Sequence, residues 1–187
     1  MAKDNWVRKA IQVENSKRAE FWMSHLLVIL GTVLGVYLAA SIGFDKAIEY
    51  ELVKSDKDSY YLRSAMQQEL EDNLDNIDLW ATDFLSGNAR NYIGKPEQYQ
   101  LEDFVWKTMQ ESAGTFEIPN NILTGIRRYY AHSRSNLEKM TRKNYAAHDD
   151  VNAMQVESEN VRSELLPLIE NDIEKLKLKV EKYGIKL

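Results

Sequence analysis

From Phe21 to Phe44 the chain reads FWMSHLLVILGTVLGVYLAASIGF, with no Asp, Glu, Lys or Arg. As an α-helix this run reaches roughly 36 Å, enough to span a bilayer with some tilt. A buried helix of a soluble protein seldom runs so long without a charge. A cleavable signal peptide has a shorter apolar region, about 7–15 residues, and Ala39-Ala40-Ser41 is only a passable cleavage site. The rest of the sequence is strongly polar, and the net charge of −5 and mean hydropathy of −0.49 come from it. The expectation is a chain anchored in a membrane by one helix at positions 21–44, not a polytopic protein.

Within the run, Gly31, Gly35, Ala39 and Gly43 recur at every fourth position and share one helix face. In lipid no hydrophobic force draws helices together, so close backbone approach through small residues supplies the contact that selects a partner. This face therefore predicts packing against another helix, from a second copy of the chain or from a larger membrane protein. A thin face turned to lipid is the other reading. Phe21 and Trp22 at one end, with Phe44 and Tyr50 at the other, suit the membrane–water interface.

The arm at positions 1–20 carries Lys3, Arg8, Lys9, Lys17 and Arg18, against Lys46, Lys54, Lys57 and Arg63 on the other flank. Lysine and arginine bias favours a cytoplasmic N-terminus by a small margin, which places the rest of the chain in the periplasm. Trp6, Ala10 and Val13 fall at near-helical spacing, as in a short helix lying among headgroups. A polar helix that continues the spanning one fits equally well.

Beyond the span, positions 45–187 read as helical. Asp45 to Lys54 extends the spanning helix, and Ser55-Asp56-Lys57-Asp58-Ser59 is expected to break or cap it. Leu62, Met66, Leu70, Leu74, Ile77, Ala81 and Phe84 then step by three or four, as one stripe of an amphipathic helix requires, until Ser86-Gly87-Asn88 stops it. A second helix is expected from Pro96 to Ala113, its apolar face formed by Leu101, Phe104, Val105 and Met109, with Gly114 as its stop. A short extended piece, Thr115 to Ile118, precedes Pro119. A third helix carries Ile122, Ile126, Tyr129, Tyr130, Leu137 and Met140 and is expected to run on to about Glu157. A last one carries Val161, Leu165, Leu168, Leu176, Val180 and Tyr183, with Pro167 kinking it or marking its start and Gly184 ending it. No strand pattern competes, so the fold class is all-α: one transmembrane helix, then an extramembrane antiparallel bundle of about four helices.

Motifs for chemistry are sparse. The absence of cysteine removes disulfides and thiolate metal sites. No G-x-S-x-G, P-loop or dinucleotide fingerprint occurs. His25 near one end of the span could ligate a haem or chlorophyll, but a lone histidine there is more often hydrogen-bonded or lipid-facing. His148-Asp149-Asp150 lacks the spacing of a helix-borne metal site. Glu71, Asp75 and Asp78 share a face that reads as the solvated side of its helix, with cation attraction as the alternative. The basic patch of Arg127, Arg128, His132 and Arg134 could hold phosphate, a lipid headgroup or an acidic partner, or could pair with carboxylates of its own bundle. No cofactor, metal or catalytic residue is expected, and neither a nucleic-acid partner nor a small-molecule substrate is identified.

The basic arm, the run HLLVILGTVLGVYLAAS and the following YYLRSAMQQELEDNLDNIDLW resemble uncharacterised small bacterial membrane proteins with one N-terminal span and a helical domain. Tyr61-Leu62, Glu69-Leu70 and Asn73 match their first helix, with Ala65-Met66 in place of a leucine, and FEIPNNILTGIRRYY is similar to their second half. The resemblance implies a bacterial inner-membrane protein and carries over no catalytic residue. Two functions stay open: a non-enzymatic accessory or scaffold subunit of a membrane complex, or a cytoplasmic sensor binding an anionic ligand such as a nucleotide through the basic patch.

Overall fold

The structure is a computed structural model that describes the backbone of residues 3–87, 100–142 and 147–187, and the side chains within those ranges except 3–17, 19, 113, 140–142 and 147–148. The expectations for Pro96, and for the side chains of Trp6, Met140 and His148, lie outside the described residues. Among the described residues all regular structure is helical: α1 (Lys3–Leu85), α2 (Phe104–Glu111), a 3-10 turn (Ala113–Glu117), α3 (Asn120–Arg142), α4 (Ala147–Asn160), a π turn (Val161–Leu165) and α5 (Leu166–Glu181). The chain divides into two compact units, Met1–Glu51 and Leu52–Leu187.

In the first unit, the side chains from Phe21 to Phe44 are all exposed, and the helix is long and apolar enough to cross a membrane. Two polar side chains there turn back on their own helix. Thr32 Oγ1 donates to the Val28 carbonyl at 2.8 Å, and His25 Nδ1 stands 2.9 Å from the Phe21 carbonyl, its ring against the Phe21 ring.

The second unit is organised by the α1 stripe. Met66, Leu70, Leu74, Ile77, Ala81 and Phe84 are buried together with Trp106, Met109, Ile122, Ile126, Tyr129, Tyr130, Val151, Met154 and Ile169 in one apolar core. Three sets of ion pairs run along α1 in order: Asp56 with Lys179, Arg63 with Asp172, and Asp75 and Asp78 with Arg162. The partner's number falls as the α1 number rises.

Several local expectations are corrected. The polar cluster at 55–59 neither breaks nor caps the helix, because its side chains have tertiary partners. Ser55 and Ser59 donate to the Glu117 carboxylate at 3.2 and 3.1 Å, and Asp56 accepts from Lys179 at 2.6 Å. Helix α1 ends instead at Gly87, whose φ of 86° suits a residue without Cβ.

The second helix starts only at Phe104, residues 100–103 being non-helical, and stops at Glu111 rather than Ala113, and Thr115–Glu117 is a 3-10 turn where an extended piece was expected. On α2 it is Trp106 that is buried, while Phe104 is 77% exposed. Nor does the third helix run straight to Glu157: His132 Nδ1 lies 3.5 Å from Glu157 Oε1, whereas a straight helix would separate those residues by roughly 37 Å.

Before Pro167 the chain forms one π turn, in which the Leu166 N–H donates to the Val161 carbonyl five residues back. Proline offers no N–H and its ring crowds the preceding turn, so a widened turn accommodates it. The extra residue rotates the helix. Ile169 is buried in place of Leu168, and the stripe reads Val161, Leu165, Ile169, Leu176 and Val180, with Tyr183 exposed.

Helix α3 meets the π turn at Gly125, where an added Cβ would sit 2.6 Å from Leu165 Cδ1. Gly125→Ala should cost about 1–3 kcal/mol through overpacking, measured by denaturant titration of the full chain in detergent. Pairing it with Leu165→Val should restore part of the loss.

Candidate functional site

A buried polar constellation lies where α2 and α3 meet α1. Glu69 and Asn73 stand one turn apart on α1, beside the buried Leu70 and Leu74, and both are buried. The helix α2 begins with its first amides unpaired, as every helix does, and its cap residue Asp103 makes no side-chain capping bond. Glu69 supplies the missing acceptor from another helix: the Val105 N–H donates to Oε2 at 2.6 Å and the Trp106 N–H to Oε1 at 3.0 Å. A carboxylate at a helix N-terminus also meets the positive end of the helix dipole.

Asn73 pairs with the backbone of Glu102 in both directions. Its Nδ2 donates to the Glu102 carbonyl at 2.7 Å, and the Glu102 N–H donates to its Oδ1 at 2.8 Å. The Tyr130 hydroxyl donates to Glu69 Oε1 at 2.5 Å, and its ring stacks on Trp106 with centroids 5.6 Å apart. Over the same Tyr130 ring, Arg134 sits 5.6 Å from the centroid while it donates to Asp103 at 2.5 Å. Burial, and then the bond to Glu69, push the Tyr130 phenol well above the usual tyrosine range; burial does the same for Tyr129.

These contacts use the Glu69 oxygens for three donors, an arrangement that holds α2 in place. An open groove beside it is lined by Glu69, Asp72, Asp75 and Glu102. Among the described residues no three histidines or carboxylates converge as a metal would need.

The predicted patch residues all lie on α3 and differ in their partners. Arg134 is engaged with Asp103 and Tyr130, and His132 with Glu157. Arg127 and Arg128 are exposed, with no ion-pair partner among the described residues. On the acidic face Arg162 bridges Asp75 and Asp78, at 2.9 and 2.7 Å, and Glu71 accepts from Gln67. In the first unit Gly31, Gly35 and Gly43 have open space around them, Ala39 is exposed, and so are Phe21, Trp22, Phe44 and Tyr50.

Sequence reasoning passed over Glu69, Asn73, Trp106 and Tyr130 as a group. One signal was present: polar residues four apart at 69 and 73 flank Leu70 and Leu74 of the apolar stripe, so part of the acidic run had to face inward. Comparison with protein-family models, with curated proteins and with solved structures finds no match.

Glu69→Gln would set an amide N–H₂ against backbone donors. It should cost about 1–3 kcal/mol and speed hydrogen exchange at the Val105 and Trp106 amides more than elsewhere in the unit.

The buried tyrosines hold their protons more tightly folded than unfolded, where they titrate near 10.0. Their contribution to stability is therefore complete below pH 10 and is lost as the pH rises above it. Stability measured against pH should fall in that alkaline window, and Tyr130→Phe should make the fall shallower.

Proposed function

We propose that this protein is a non-enzymatic accessory or scaffold subunit of a bacterial inner-membrane complex. Its span at 21–44 packs on a partner helix through Gly31, Gly35, Ala39 and Gly43, and its second unit, an antiparallel bundle of about four helices, presents a surface for protein contact. The observation that carries the reading is the exposed, charge-free helix with a continuous small-residue face. Such a face allows backbones to approach closely in lipid. The polar network around Glu69 supports it from the other side, since its groups are occupied in holding helices together. The descending order of ion-pair partners along α1 supports the antiparallel arrangement.

In this reading the N-terminus is cytoplasmic and the second unit periplasmic. The resemblance to small bacterial single-pass proteins points to the same membrane. Arg127 and Arg128, exposed and without an ion-pair partner among the described residues, favour a second reading, in which the unit is cytoplasmic and senses an anionic ligand. A reporter fused after Leu187 that is active only in the periplasm separates the two.

Replacing Gly31 and Gly35 by Leu fills the face with branched side chains. Co-purification of the partner, or of second copies carrying a different tag, should fall about tenfold or more if the change removes 1.4 kcal/mol of packing. Assembly that survives the double substitution intact would sink the packing face.

A further inference from the structure

We draw no further inference here: the strongest candidate, the open acidic groove beside α2 lined by Glu69, Asp72, Asp75 and Glu102, carries nothing, because Glu69 is engaged by the α2 amides and Tyr130 and Asp75 by Arg162, and among the described residues no buried polar side-chain atom of its lining is left without a partner to point to a ligand.

Discussion

An amphipathic helix leaves one apolar stripe that water will not tolerate bare, and in the second unit that stripe belongs to α1. Met66, Leu70, Leu74, Ile77, Ala81 and Phe84 are covered by side chains from α2, α3, α4, the π turn and α5. Their burial is the main favourable term of the unit, because each fully buried aliphatic or aromatic side chain contributes about 1.5–3 kcal/mol. Covering the stripe arranges everything else: α2 meets α1 at Glu69 and Asn73, α3 brings two tyrosines into the same core, and the π turn and α5 pair with α1 through Arg162, Asp172 and Lys179.

Apolar burial alone does not choose a register, since a helix slipped by one turn offers much the same surface. The charged pairs supply that choice. Arg63 and Asp172, 2.6 Å apart and nearly buried, would each be left as an unpaired charge by a slip, a loss far larger than the net value of the pair. The Glu69 carboxylate does the same for α2, since only its present position satisfies the Val105 and Trp106 amides together with the Tyr130 hydroxyl. A helix of eight residues has little stability of its own, and an acceptor provided by a neighbour is what keeps this one wound.

The two units obey opposite surface rules. In the second, the apolar stripe of α1 turns inward and most charges turn outward, apart from Glu69 and the pairs that set the register. In the first, the apolar side chains from Phe21 to Phe44 are all on the outside, and Thr32 and His25 bond to their own backbone. The same helical geometry serves both, and the difference lies in the surroundings for which each surface is suited.

Much of this was legible in the residues. Charge-free composition marked 21–44, threefold and fourfold spacing marked the buried stripe of α1, and Gly87 and Gly184 marked two helix ends by their tolerance of positive φ. These are local properties, written in spacing and residue type, and a single sequence displays them. The helix break expected at 55–59, the inward face given to Phe104 and the helix running straight to Glu157 failed because each depended on a distant partner. Ser55 and Ser59 remain helical since Glu117 takes their hydroxyls, Trp106 is drawn inward by Tyr130, and the chain turns back before Glu157 to cover α1. Periodicity tells a chain which of its faces must be hidden; which residue hides it, and which buried charge meets which, is decided only when helices far apart in sequence come into contact.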